Sequence, residues 1–219
     1  MRINKYIAQS TELSRRAADI AVEAGRVTVD GQMAINGTEV KDGSQVKLDG
    51  RIVRPQATKT TIMLNKPMGY VCSRNGQGNK TIYDLLPKKY HNINPIGRLD
   101  KDSSGLILMT DDGDLANQLA HPSYSKSKIY QVALDKPLQP LHQQMISDHG
   151  VTLADGLSRF LIQKEADNLI IVMREGRNRQ IRRTFAALGY AVVNLHRTNF
   201  GPYTLNDLPT SEYKELALA

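Results

Sequence analysis

The sequence predicts an α+β protein in two parts: a small module over residues 1–57, and a larger domain over residues 58–219 built on a mixed or antiparallel β-sheet with flanking helices. Three observations predict it. The N-terminal stretch joins two short helical patterns to brief alternating runs split by Asn36-Gly37, Asp42-Gly43 and Asp49-Gly50 turns. Residues 51–60 have little periodicity and carry Pro55, as a linker does. From Thr61 onward, short apolar runs and helical patterns alternate in mixed order without an internal repeat.

In chain order, helical pattern covers 3–8 and 14–24. Ser14 is a good N-cap, Ala17, Ala18, Ile20, Ala21 and Val22 supply apolar contacts, and Gly25 fits the position after the helix. Residues 26–30 alternate like a strand that Gly31 ends, and further short strands are expected near 33–36 and 45–49. In the larger part, strands are predicted over 62–64, 106–110, 128–134, 169–173 and 191–195, and helices near 81–86, 114–120, 138–148 and 179–188.

Hydrophobic residues make up 40% of the 219, enough for a sizeable core, and charges are interspersed, so the chain is expected to fold. Lys and Arg number 29 against 22 Asp and Glu, a net charge of +7 that favours a polyanionic partner. No apolar run reaches membrane-spanning length and the N-terminus lacks signal-peptide character, which predicts a cytoplasmic protein and makes nucleic acid the better partner than a membrane. The single cysteine, Cys72, excludes an internal disulfide and reads as a buried apolar residue. Histidines 91, 121, 142, 149 and 196 form no ligand pair at helical or finger spacing, so no metal is expected; Asp111, Asp112 and Asp114 suit a turn and helix cap as well as Mg²⁺.

Four segments carry possible chemistry. Arg15 and Arg16 follow the Ser14 cap, where positive charge opposes the helix dipole; they are either a phosphate-binding corner or a solvated charge pair. The segment Gly97-Arg98-Leu99-Asp100-Lys101-Asp102-Ser103-Ser104-Gly105 is a charged loop feeding an apolar strand, a common place for a catalytic group and equally an ordinary turn with local ion pairs. Lys128, Tyr130, Val132 and Leu134 share one strand face, which makes Tyr130 a cross-strand core aromatic on plain reading. Finally, Arg174-Glu175-Gly176-Arg177-Asn178-Arg179-Gln180-Ile181-Arg182-Arg183 holds five arginines and one glutamate. Asn178 can cap the following helix, with Ile181, Phe185 and Leu188 as its buried stripe. The arginines require a nearby anion, either RNA phosphate or a buried carboxylate.

These residues resemble two families. Arg2, Lys5-Tyr6-Ile7-Ala8, Ser14-Arg15-Arg16, Ile20 and Gly25-Arg26-Val27-Thr28-Val29-Asp30-Gly31 resemble the S4-like (alpha-L) RNA-binding domain. Gly97-Arg98-Leu99-Asp100 with Ser103, Gly105 and Asp112-Gly113, the Lys128-Ile129-Tyr130 motif, the Glu175–Arg183 run and Leu195-His196-Arg197 resemble the bacterial ribosomal RNA pseudouridine synthases of the RsuA type. The resemblance implies an S4-like domain followed by a pseudouridine synthase catalytic domain. Asp100 would be the catalytic carboxylate, Arg182 its ion-pair partner and Tyr130 the ring that stacks on the target uracil. Ile181 would form a pocket wall, and Arg98 would meet the position the flipped base vacates. RNA contacts are expected from Arg2, Lys5, Arg15, Arg16, Arg26, Arg98, Lys128, Arg177, Arg179, Arg183 and Arg197. The expected substrate is structured RNA, foremost large-subunit ribosomal RNA, with small-subunit ribosomal RNA or transfer RNA as alternatives and a non-catalytic RNA-binding protein as a different class. A monomer needing no cofactor is expected.

Overall fold

The computed structural model describes residues 1–55, 58–120, 126–165 and 168–217. Part of the expected linker, Gln56 and Ala57, and His121 among the scattered histidines lie outside the described residues. The chain divides into two compact units, Met1–Lys59 and Thr60–Ala219.

The first unit contains α1 (Ile3–Ser10), α2 (Arg15–Glu23) and the strands β1 (Val27–Val29), β2 (Gln32–Met33), β3 (Val46–Leu48) and β4 (Arg51–Ile52). The strands form an antiparallel sheet in the order β2-β1-β3-β4. The Ser14 hydroxyl accepts the Ala17 N–H at 3.2 Å, capping α2. Ile3, Ile7, Ala18, Ala21, Val22, Val27 and Val46 make the core. Ile20, expected in that core, is 64% exposed; Ala18, Ala21 and Val22 occupy the inward stripe, and position 20 lies outside it. Residues 51–52, read as linker, pair with β3 through a two-residue Asp49-Gly50 turn in which both residues have positive φ.

The second unit contains β5 (Thr61–Lys66), β6 (Asn94–Ile96), β7 (Ser104–Thr110), α3 (Gly113–Ala120), β8 (Lys128–Leu134), α4 (Pro140–Gln144), β9 (Val151–Leu153), β10 (Gly156–Ser158), β11 (Leu161–Glu165), β12 (Asn168–Met173), α5 (Gln180–Ala187), β13 (Val192–Phe200), β14 (Tyr203–Thr204) and β15 (Tyr213–Glu215). The main sheet runs β11-β12-β8-β13-β7-β5-β15, with β6 on β7 and β14 on β13; β9 and β10 form a separate hairpin. Among the described residues β7 and β13 run parallel, and the other pairings are antiparallel. The sheet is therefore mixed.

Strand side chains alternate between two apolar layers. Ile62, Leu64, Ile107 and Met109 enter one layer with Ile171, Ile181 and Phe185; Met63, Leu106 and Leu108 enter the other with Leu119 and Phe200. A sheet covered on both faces explains why its central strands read as continuous apolar runs. The helix expected near 81–86 is a single 3₁₀ turn, Ile82–Leu85, held by a Thr81–Asp84 capping box. That expected near 138–148 is α4 followed by a π turn, Met145–His149. Asp112 caps α3 by accepting the Asp114 and Leu115 N–H groups at 2.9 and 3.1 Å, and Asp111 accepts the Thr60 N–H at 2.8 Å.

The parallel junction places Gly105 of β7 opposite Arg197 of β13 and opposite Lys66 of β5. Gly105 has φ +104°, and a Cβ there would stand 2.5 Å from the Arg197 backbone nitrogen and closer to its carbonyl oxygen. Only glycine meets both demands. Gly105→Ala is expected to lower stability by ~3–4 kcal/mol, measured by urea denaturation. Gly113→Ala, where a Cβ meets nothing within 4 Å, is the control. Equal, small effects of the two substitutions would refute the account.

Candidate active site

Residues 97–103 connect β6 to β7 and carry Asp100 to the edge of a cavity of about 330 Å³. Gly97, Arg98, Asp100, Lys128, Tyr130, Ile181 and Arg197 line it, so the cavity gathers side chains from the loop, β8, α5 and β13. Tyr130 is buried and lies directly across from Arg197 on the next strand. Met173, Ile181 and Leu195, all buried, add apolar wall.

Besides the Gly69 N–H on the Lys101 carbonyl at 2.7 Å and the Lys101 ammonium on the Asn79 amide oxygen at 2.6 Å, three attachments fix the loop. The Lys66 side chain, completely buried, donates to the carbonyls of Pro67 at 3.0 Å, Asp100 at 3.1 Å and Ser103 at 2.6 Å. Three acceptors compensate an ammonium that burial drives below its ordinary pKa. The Leu99 N–H meets the Cys72 sulfur at 3.4 Å. The third attachment comes from α5. Arg179 forms a two-pronged hydrogen bond to Asp102, at 2.9 and 2.7 Å. Arg182 donates to the Asp102 carbonyl at 2.7 Å and to the Val192 carbonyl at 2.8 Å, and its Nε lies 3.3 Å from the Asp102 carboxylate.

The pairing of Arg182 with Asp100 that the resemblance implies is corrected here. The contact goes to Asp102, two residues on, while the guanidinium 3.7 Å from the Asp100 carboxylate is that of Arg179. The two acidic residues share one loop, and their relative reach from α5 depends on backbone course that spacing does not encode. Asn178 is likewise not the helix cap. Arg179 holds that position in left-handed conformation, φ 47°, without a side-chain cap. Gln180, 3% exposed, ties the turn instead: its amide oxygen accepts the Arg177 N–H at 3.1 Å, and its nitrogen donates to Ser158 at 3.1 Å and to Glu175.

The expected RNA contacts divide into groups. Arg177 and Arg183 are committed internally. Arg177 donates to the carbonyls of Asp155 at 2.9 Å and Leu157 at 2.8 Å, and Arg183 forms a fork to the Asp155 carboxylate at 3.0 and 2.7 Å. They strap α5 to the β9–β10 turn, so the anion their helix demands is largely carboxylate. Arg197 is buried, not a surface contact, because β13 is a central strand. Lys128 is half-buried and donates to the Glu175 carbonyl at 3.3 Å. Arg98 is exposed at the cavity mouth. In the first unit Arg2, Arg15 and Arg16 are exposed and Lys5 is half-buried, while Arg26 forks onto Asp49 at 2.8 and 2.6 Å. Lys66, Asp155 and Gln180 are supporting residues that the sequence does not announce. A lysine closing an apolar run is the available signal for Lys66.

Residues 60–187 match the family described as RNA pseudouridylate synthase. The dual-specificity RNA pseudouridine synthase RluF of Escherichia coli (strain K12) is 36% identical, over 99% of this chain and 75% of that protein. The ribosomal small subunit pseudouridine synthase A of Yersinia pestis is 34% identical, over 99% and 94% of the two chains. The ribosomal large subunit pseudouridine synthase B of Bacillus subtilis (strain 168) is also 34% identical, over 98% and 91%. A solved structure described as a pseudouridylate synthase superposes with a TM-score of 0.71 at 29% identity, covering 99% of this chain and 96% of that one.

The hydrogen bonds from Arg179 hold the Asp102 carboxyl below its ordinary pKa. A depressed carboxylate contributes stability above the unfolded pKa and loses it as pH falls through the folded value. Asp102→Asn should therefore be less stable than the parent at pH 7, by about 1 kcal/mol or less for a half-exposed pair. The gap should close as pH is lowered through the acid range. Denaturation midpoints taken from pH 7 to pH 3 test this, and a constant gap would contradict the assignment.

Proposed function

The chain belongs to the RNA pseudouridylate synthase family, and we propose that Asp100 is the carboxylate with which it isomerises uridine to pseudouridine in large-subunit ribosomal RNA. The observation that carries this reading is the placement of Asp100. Its loop is fastened by Lys66 and Asp102, and Asp100 lines the same cavity as Tyr130. The reaction breaks the uridine C1′–N1 bond, turns the base and rejoins it through C5, with no atom gained and no net oxidation. A carboxylate can serve by attack at C1′ or by taking a proton at C2′. Arg179 sets positive charge beside it, 3.7 Å away.

The uridine must leave its stack to reach the cavity, at a few kcal/mol, least in a loop or bulge. Tyr130 offers a ring face for the base, a contact worth about 1–3 kcal/mol. Arg98 at the mouth is suited to the vacated position or its flanking phosphates. Arg182 and Arg179 position the catalytic loop.

The first unit serves as an S4-like RNA-binding domain. Its helix pair, its following hairpin and the exposed Arg15 and Arg16 beside the open N–H groups of α2 support that role. The protein works as a monomer where ribosomal RNA is made and assembled, in the cytoplasm. The relatives named for the small and for the large ribosomal subunit support ribosomal RNA as substrate, and the latter favours the large subunit. Mapping pseudouridines in RNA from cells lacking the gene checks the target: loss of a large-subunit site is expected, and loss confined to small-subunit or transfer RNA would overturn it.

Asp100→Asn should lower tritium release from RNA labelled at uridine C5 by at least about 1,000-fold, while RNA affinity stays near that of the parent. Undiminished release would remove Asp100 from the chemistry. Arg15→Ala with Arg16→Ala should weaken RNA binding and flatten the slope of log affinity against log salt by up to about 2, one unit per phosphate contact. An unchanged slope would sink the proposed role of this corner.

A further inference from the structure

Arg197 is 2% exposed in the middle of β13, between Gly105 on β7 and Tyr130 on β8. Its Nε donates to the Leu106 carbonyl at 2.8 Å. Its terminal nitrogen Nη2 is buried without an acceptor, and among the described residues no carboxylate forms an ion pair with it. An unmet N–H on a buried guanidinium is unfavourable, and this one belongs to a residue lining the cavity that Asp100 also lines. Lys128 lines the same cavity. Its ammonium lies 5.6 Å from the Phe200 ring centre and the Arg197 guanidinium 4.9 Å from it, so two cations share one ring. Burial, and then the charge of Arg197, push the Lys128 ammonium below its usual pKa. Such a pair is poised to receive negative charge.

Two parts of the substrate could supply it. A phosphate carries a full hydration shell and is served at the mouth, where Arg98 is exposed. Around Arg197 the cavity is walled by Tyr130, Met173, Ile181 and Leu195, surfaces suited to a planar base. We propose that Arg197 contacts a carbonyl oxygen of the flipped uracil and stabilises the negative charge the base acquires when C1′–N1 breaks, with Lys128 strengthening the same field. The electron pair of that bond leaves with N1, spreading over N1, O2 and O4, while Asp100 attacks C1′ or removes the C2′ proton. C5 then bonds to C1′ as the Asp100–C1′ bond breaks or, on the other route, as Asp100 returns its proton to C2′; the C5 proton is lost, and N1 gains one, so atoms and electrons balance. A donor fixed in advance in a desolvated site stabilises developing charge strongly, and such stabilisation commonly dominates a rate enhancement. The inference rests on the pseudouridine synthase reading and adds a residue that acts on the leaving base.

The test uses the full chain with Arg197→Met and Arg197→Lys, RNA carrying either uridine or 5-fluorouridine at the target, and single-turnover measurement of C1′–N1 cleavage. Fluorine stabilises the departing uracil anion, so a 5-fluorouracil base depends less on the enzyme for charge stabilisation. Arg197→Met should cleave the uridine RNA about 100-fold more slowly, with RNA affinity held within about threefold, and its deficit should shrink at least about tenfold on the fluorinated RNA. The lysine variant, which keeps the charge, should show a smaller deficit that shrinks in the same way and serves alone if the methionine variant does not fold. Equal deficits on both RNAs, or a loss of affinity as large as the loss of rate, would overturn the proposal. Parent protein that converts no uridine would instead sink the reading beneath it.

Discussion

The catalytic unit is organised around the burial of two cations on either side of one glycine. In the sheet Lys66, Gly105 and Arg197 stand abreast on β5, β7 and β13. The lysine turns its ammonium to three backbone carbonyls and so holds the loop before β7; the arginine turns to the Leu106 carbonyl and the cavity. Burying charge is tolerable only where fixed dipoles replace water. The carbonyls are available because β7 is preceded by an irregular loop whose own acceptors have no strand partner. The lack of a side chain at position 105 lets the strand bearing Arg197 come close enough for this arrangement.

The arginine-rich run before and within α5 has a corresponding logic. Four positive side chains near one helix start would repel one another in isolation. Asp102 receives two of them and Asp155 the other two, each carboxylate held below its ordinary pKa by the arginines bonded to it. The helix thereby grips two separate loops, and the grip on Asp102 is also the grip on Asp100 two residues earlier. Positive charge that reads as an RNA surface is spent largely on internal geometry, while Arg2, Arg15, Arg16 and Arg98 remain exposed.

The legibility of the sequence follows element length and burial. Strand 128–134 is readable with its true bounds because its seven residues alternate, with Tyr130 and Val132 buried on one face and Gln131 exposed between them. The strands β4, β9, β10 and β14 have two or three residues each, too few for any period to register. The site is legible as a set of segments, since Asp100, Tyr130 and Ile181 do line one cavity. Its internal wiring is not. Which of Asp100 and Asp102 meets Arg182 depends on the turn of the loop, and Lys66 resembles an ordinary strand-end lysine because two of its acceptors lie 34 and 37 positions away. Arg197 reads as a surface group because charge in a strand argues for exposure until the neighbours on both sides are known.

One backbone detail has an evolutionary reach. Arg179 opens α5 in the left-handed region, at φ 47°, a conformation that disfavours an ordinary side chain by ~1–2 kcal/mol. Glycine would relax that backbone, yet it would remove the guanidinium that fastens Asp102 and stands beside Asp100. The relief is offset by the lost Asp102 ion pair and by the freedom glycine brings to the unfolded chain, so stability alone is nearly indifferent at this codon. The residue retained here therefore records a demand on the loop beside Asp100 more than a demand for heat resistance.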